Sequence, residues 1–245
     1  PAQIYTGSPI TPTIDVTFNG LSVNSTDYTV TYSANINVGQ ATVIVEGNPG
    51  TNYANMVGTA TFTINPKDIT GTDIAVGAIP NQTYTGSAIE PEPTVTDNTR
   101  STNLILGADY ILGYAGNVNV GTGTATVTIT GRGNYTGTRE VYFNITHANI
   151  GGGDGDPTTP GTGFTVNVYP ATGVHTGSAN HPSVVGHYNN QLLTENLDYT
   201  LSYADSDNTD VGPNGMIDVD TYTITVTGQG NYIGTLTATY EIVLN

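Results

Sequence analysis

Cysteine and tryptophan are absent from this chain, and Lys and Arg together number 4 in 245 residues. Without cysteine there is no disulfide, no thiolate metal site and no cysteine nucleophile. With 20 acids against those few cations the formal net charge is −16. No cationic patch can be assembled from so few bases, which argues against nucleic acid or an anionic membrane surface as a partner. No apolar run approaches the 18 or so residues of a membrane span, and no signal-peptide pattern is present. The chain opens at Pro1 rather than Met, which reads as a region cut from a longer protein. Helical periodicity is missing too.

What is present is said three times. Tyr5-Thr6-Gly7-Ser8 returns as Tyr84-Thr85-Gly86-Ser87 and as His175-Thr176-Gly177-Ser178. Asp27-Tyr28 returns as Asp109-Tyr110 and Asp198-Tyr199, and Asn52-Tyr53 as Asn134-Tyr135 and Asn231-Tyr232. The spacing is on the order of a small domain, not of a solenoid turn. Within each repeat, strand signals dominate. Ala125-Thr126-Val127-Thr128-Ile129-Thr130 alternates with period two, and Val43/Val45 and Ile224/Val226 keep the same phase. Ala60-Phe62-Ile64, Val141-Phe143-Ile145 and Ala238-Tyr240-Ile242 take equivalent inward positions in the last strand. A slip by one residue would turn these sets outward, so register is well specified. Gly-rich turns such as Gly131-Arg132-Gly133-Asn134 punctuate the strands. The expected fold is all-β, three tandem Ig-like antiparallel β-sandwich domains. The recurring tyrosines read as part of that frame, with rings buried at sandwich corners and hydroxyls on backbone.

The ordered set Tyr84-Thr85-Gly86, Asp109-Tyr110, Asn119-Val120-Gly121 and Thr126 through Thr138 resembles the Ig-like tandem repeats of large bacterial surface proteins, the MBG/YDG-like group. The resemblance covers nearly the whole chain. It implies an extracellular, cell-surface, non-catalytic module in an adhesin or stalk. Repeat three departs most: His175 replaces the tyrosine, and an insertion follows Tyr203.

The expected boundaries are 1–66 for repeat one, 67–147 for repeat two, 148–162 for a Gly/Pro/Thr linker and 163–245 for repeat three. Ile64-Asn65-Pro66 runs straight into Lys67, so the first two repeats should sit at a nearly fixed angle. Repeat three should be tethered loosely. Repeat one lacks the strand-like stretch that Asp73–Ile79 and Phe164–Tyr169 supply elsewhere. That leaves an expected assembly groove near Ile4 and Tyr5, with unpaired backbone groups.

Chemistry is sparse. The segment from Asp205 to Asp220 carries Asp205, Asp207, Asp210, Asp218 and Asp220 with Asn214-Gly215 between, and partly follows calcium-loop spacing. Calcium is therefore the one cofactor to test. His175, His181 and His187 are too far apart along an extended segment to share an ion. Glu90 and Glu92 flank a proline and have no counterpart in the other repeats, so acid–base work is not expected. Lys67, the single lysine, could reach Asn144 for an isopeptide only if first and last strands are neighbours.

The expected function is a non-enzymatic stalk or adhesive segment that spaces or presents a binding partner, either protein or surface glycan. The alternative is a subunit of an extracellular filament, a homopolymer assembled by donor-strand exchange into repeat one. The third is a carbohydrate-binding module in which tyrosine stands in for tryptophan.

Overall fold

The computed structural model describes residues 1–152 and 158–244. Strands alternate with turns from Gln3 to Val243, and a 3-10 turn spans Pro213–Gly215. Among the described residues no helix is long and apolar enough to cross a membrane.

Repeat three displays the architecture most fully. One sheet orders Phe164–Tyr169, Ser183–Tyr188 and Gln191–Leu192. The other orders Thr172–Val174, Thr235–Val243, Thr221–Gly228 and Tyr199–Ala204. Met216, Tyr222, Ile224, Tyr240 and Ile242 form its core, and Val168 and Val184 of the first sheet pack against them. Two sheets closed over one apolar layer make a β-sandwich. Repeat one carries the sheet Gln3–Ile4, Val57–Asn65, Gly39–Gly47 and Tyr28–Ser33, with the short hairpin Thr17–Phe18 and Leu21–Ser22. Repeat two carries the matching sheet of Tyr110–Ala115, Gly121–Gly131, Thr138–Thr146 and Gln82–Thr83, and the sheet Thr102–Asn103, Val95–Asp97 and Ile74–Val76.

The alternation places the core where the sequence pattern put it. Val43, Val45, Val127, Ile129, Ile224 and Val226 are all buried. Ala60 differs: it is exposed, although Phe62 and Ile64 beyond it are buried. Ala60 lines an open cavity with Val16, Val43, Val45 and Met56. The sandwiches are also not purely antiparallel. Gln3–Ile4 pairs in parallel with Ile64–Asn65, Gln82–Thr83 with Ile145–Thr146, and Thr172–Val174 with Glu241–Val243. Each of these three short strands runs on into the Thr-Gly-Ser motif. There Gly7, Gly86 and Gly177 take φ of 78°, 84° and 74°, a region that suits glycine. The N–H of Ser8, Ser87 and Ser178 donates to the hydroxyl of Thr6, Thr85 and Thr176 at 3.3, 3.3 and 3.4 Å. The motif is a hydroxyl-closed turn that reverses the chain.

Corner tyrosines behave as expected in two repeats. Tyr32 donates its hydroxyl to the Pro12 carbonyl at 2.7 Å, and Tyr114 to the Pro91 carbonyl at 3.1 Å.

The stretch 148–162 is not a free linker in its described part. Ala148–Asn149 pairs in parallel with Tyr232–Ile233, as Lys67–Asp68 pairs with Tyr135–Thr136. Ile150 is fully buried, and Gly151 bridges to Pro160. Its central residues, 153–157, lie outside the described residues. The Gly and Pro composition concealed two apolar positions, Ala148 and Ile150, that repeat the Lys67 and Ile69 places.

The described residues form two compact units. The first holds Pro1–Ile79, Glu92–Gly113 and Val127–Val141; the second holds Pro80–Pro91, Tyr114–Thr126 and the residues from Tyr142 onward. The first thus contains repeat one and one end of repeat two. The second contains the other end of repeat two and repeat three. Each junction between repeats lies inside one unit.

Candidate functional site: the repeat junctions

The first junction is built from the tip of repeat one and the Asn-Tyr turn of repeat two. Asn134 is its clamp. Its side-chain oxygen accepts the Val38 N–H at 2.9 Å, and its amide donates to the Asn37 oxygen at 3.1 Å. Its own carbonyl accepts the Lys67 N–H at 3.0 Å. Tyr5, the first residue of the motif, is buried and meets the Tyr135 ring edge-on at 5.5 Å. The Arg100 guanidinium lies over Tyr5 at 5.3 Å and donates to the Tyr135 hydroxyl at 2.7 Å. A Cβ on Gly7 would stand 2.1 Å from Arg100, so the motif glycine also makes room for this contact.

Behind these rings sits a buried charge network. Lys67 Nζ donates to Asp97 Oδ1 at 2.7 Å and pairs with Asp73 at 2.5 Å. Asp97 is fully buried, and its carboxylate also accepts from the Thr99 hydroxyl at 2.7 Å and the Tyr135 hydroxyl at 3.2 Å. Burial alone would raise the Asp97 carboxyl; bonds from Lys67 and Thr99, with the Lys67 charge, outweigh it and hold the group below its ordinary value. Burial would likewise lower Lys67, but the bonds to Asp73 and Asp97 raise it. Burial pushes Tyr135 up to about 12 against the opposing pull of Arg100.

The second junction, inside the second unit, repeats the clamp. Asn231 accepts the Val120 N–H at 2.9 Å and donates to the Asn119 oxygen at 3.1 Å, and its carbonyl accepts the Ala148 N–H at 3.1 Å. The packing behind it is aromatic instead of ionic. Tyr232 meets Tyr84 at 5.4 Å and Tyr188 at 5.3 Å, both edge-on, while Tyr84 and Tyr188 stack at 6.3 Å. The Tyr188 hydroxyl donates to the Tyr84 carbonyl at 2.9 Å. Strand register places Tyr188 opposite Phe164 as Asp97 stands opposite Ile74. A tyrosine with Ala148 thus replaces the Asp97–Lys67 pair. Removing either clamp, by Asn134→Ala or Asn231→Ala, is expected to cost about 1–2 kcal/mol. Hydrogen exchange at the Val38 or Val120 amide should speed up correspondingly.

The sequence reading found the tyrosines but not this role. Asn37-Val38 and Asn119-Val120 recur at equal distance before a buried strand, which was the available signal. Ile4 and Tyr5 do not line an open groove. Ile4 pairs with Asn65, and Tyr5 packs on Tyr135. The open space in repeat one lies instead among Val16, Val43, Val45, Met56 and Ala60, a cavity of about 250 Å³.

The acidic segment is organised by its own backbone. Asp205 accepts the N–H of Asp207 at 3.0 Å and of Thr209 at 2.8 Å, and Asp210 accepts that of Gly212 at 3.0 Å. Asp220 accepts from Ser206 at 3.1 Å and Thr221 at 2.7 Å, and the Ser206 bond lowers its carboxyl. Asp218 contributes its carbonyl to the Tyr222 hydroxyl, and Asn214 lies in the 3-10 turn. Among the described residues no cluster of three or more His, Asp or Glu is disposed to hold a metal ion. The carboxylates are turn acceptors. Adding calcium or a chelator is therefore expected to leave the thermal midpoint unchanged, which scanning calorimetry would check. The Lys67 ammonium is taken by Asp73 and Asp97, and the Asn144 amide by Asn81 at 2.9 Å. Glu90 and Glu92 are exposed.

Sheets and junctions together define a tandem array of Ig-like β-sandwich repeats. No model of a protein family matches the chain, and no curated protein does. Among solved structures it is similar to protocadherin gamma B2 extracellular cadherin domains 1–5, with 11% identity and a TM-score of 0.25, over 100% of this chain and 58% of that one. For Sidekick-1 immunoglobulin domains 1–5 the figures are 10% and 0.25, over 93% and 51%. For Drosophila N-cadherin EC1–3 they are 8% and 0.23, over 84% and 77%. The chain spans little more than half the length of the first two. Nothing about partners follows from likenesses this distant.

Proposed function

We propose that this chain is a non-catalytic, extracellular, cell-surface stalk or adhesive segment whose repeats, 1–66, 67–147 and the remainder from 148, space or present a binding partner. The observation that carries the reading is the duplicated clamp. Asn134 and Asn231 make the same pair of bonds to the preceding repeat's Asn-Val loop. A motif spent on joining neighbours serves mechanics, and its tyrosines are used up in the joint. Protein neighbours are the natural partners; the charge of −16 disfavours nucleic acid. A second reading, a filament subunit joined by strand donation, is favoured by one observation: the cavity in repeat one. Negative-stain electron microscopy of the protein as isolated from its source tests both. Separate short rods support the stalk. Regular filaments with a repeat near three domains would replace it with assembly.

A further inference from the structure

The two joints set the same kind of tip on different bases, the base being the end of a repeat that holds its Asn-Tyr turn. Repeat one offers the Asn37 oxygen, the Val38 N–H and the Tyr5 ring; repeat two offers the Asn119 oxygen, the Val120 N–H and the Tyr84 ring. Each is met alike. The clamp bonds are 2.9 and 3.1 Å at both joints. The motif tyrosine meets Tyr135 at 5.5 Å and 79°, or Tyr232 at 5.4 Å and 86°. The chain also crosses alike. The Tyr5 N–H donates to the Asn65 carbonyl, and the Tyr84 N–H to the Thr146 carbonyl. A single residue, Pro66 or His147, then leads to Lys67 or Ala148, whose N–H donates to the clamp asparagine's carbonyl. Further on, Ile69 donates to Thr136 and Ile150 to Ile233, at 2.9 Å in both.

What distinguishes the joints lies on the base. Base two lays Arg100 over Tyr5 and buries the Lys67–Asp97 pair. Base three has Ala148 and Tyr188 in the places of Lys67 and Asp97. Base three takes two more bonds from the tip, and both go to main-chain carbonyls. Tyr84 accepts the Tyr188 hydroxyl at 2.9 Å, and Thr85 accepts the Asn189 amide at 3.3 Å. Tyr5 and Thr6 possess the same carbonyls. The tip of repeat three is different. Its Asn180 N–H donates to the Met216 carbonyl as Ile10 does to Asn35 and Ile89 to Asn117, which sets Asp218-Val219 in the Asn37-Val38 place. An acceptor and an amide are thus kept, but His175 stands where the motif tyrosine would be.

We propose that the bases of repeats two and three are interchangeable sockets for any tip that presents Asn-Val and the motif tyrosine. The partner each base fits is defined by that tip and not by the repeat that carries it. Repeat one therefore docks on base three as it does on base two, with Tyr5 edge-on to Tyr232 and its Asn37-Val38 loop held by Asn231. The tyrosine sets the selection, because histidine in its place leaves the clamp but removes the ring contact. An array joined this way gains or loses a whole repeat without rebuilding a joint. The inference rests on the stalk reading only in treating the joints as parts of an array.

The test removes residues 67–147 from the chain, which joins Pro66 to Ala148 and keeps the single crossing residue. Amide exchange is followed by NMR. Slow exchange at Val43 and Ile224, buried in inner strands of their sheets, reports that both sandwiches remain folded. In the full chain the Val38 amide should answer to Asn134: Asn134→Ala speeds its exchange about tenfold, and Asn231→Ala leaves it unchanged. In the shortened chain Val38 should stay slow and answer to Asn231→Ala by the same factor. Tyr5→His in the shortened chain should also speed it about tenfold, through the lost ring contacts. A Val38 amide that exchanges freely beside slow Val43 and Ile224 overturns the proposal, as does one indifferent to Asn231→Ala. Indifference to Tyr5→His overturns the tyrosine as the selecting residue. Should the shortened chain not fold, a chain carrying residues 67–147 twice decides. With Asn134→Ala in its second copy alone, Val120 of the first copy should exchange about tenfold faster, while Val120 of the second copy, held by Asn231, stays slow. A first-copy Val120 that is fast before the substitution, or unmoved by it, overturns the proposal. Filaments in micrographs of the source material would remove the stalk reading and leave these exchange results standing.

Discussion

Tyr232→Ala is expected to lower the stability of the second unit by about 3–5 kcal/mol, the cost of truncating a buried aromatic ring. Tyr232 is 4% exposed and is the common partner of Tyr84 and Tyr188. Truncation removes two edge-on ring contacts and opens a cavity between the repeat-two tip and the strand Ala148–Asn149, which pairs with Tyr232–Ile233. Tyr232→Phe keeps the rings in contact and should cost about 1 kcal/mol, as for one hydrogen-bonding group. Tyr84→Ala removes the other side of the same contact. The double variant should therefore lose less than the sum of the singles, because each single already breaks the pair. Urea unfolding followed by far-UV circular dichroism supplies the four midpoints. Strict additivity would mean that the two rings stabilise their own repeats independently and that the junction is only an adjacency.

Much of the fold was legible because period-two alternation fixes which side chains face inward. Ala125, Val127 and Ile129 needed no other information, and all three are fully buried. What failed was whatever depended on a partner distant in sequence. Ala60 has the right phase but faces an open cavity. Ile150 sits among glycines and prolines, yet is buried because Ala148–Asn149 finds Tyr232–Ile233 more than eighty residues on. Lys67 looked like an isolated cation because its carboxylate partner, Asp97, lies on another strand and is itself replaced in the sister repeats. The tyrosine motif was visible as a repeat, but repetition alone does not separate a residue that supports its own sandwich from one that grips the next. Tyr32 does the first and Tyr5 the second. In the acidic segment the five carboxylates were plain, but not what they bond: short turns with backbone N–H groups to satisfy recruit Asp205, Asp210 and Asp220 as acceptors.

Lys67→Ala is expected to destabilise the first unit by about 3 kcal/mol, toward the lower end of what breaking a buried ion pair costs. Asp97 has no exposure, so loss of the ammonium leaves a carboxylate that water cannot reach. Thr99, Tyr135 and Arg100 still surround it, which is why the lower end applies. Replacing both partners, Lys67→Met with Asp97→Leu, should restore much of the loss, because paired apolar groups of similar size tolerate burial. Repeat three supports this expectation, since Ala148 and Tyr188 occupy those places there. The pH dependence follows from the two directions. Asp97 is depressed in the folded state, so its contribution is complete above the unfolded carboxylate value near 4 and is lost as pH falls through the lower folded value. Lys67 is raised, so its contribution is complete below the unfolded value near 10.5 and is lost as pH rises through the higher folded value. Between these limits, the wild-type advantage over the apolar pair should be flat with pH. It should shrink at both extremes, and hydrogen exchange at the Ile69 and Ile74 amides would follow it locally. An advantage that instead changes steeply between pH 5 and 9 would mean that the network is not the intact ion pair described by its geometry.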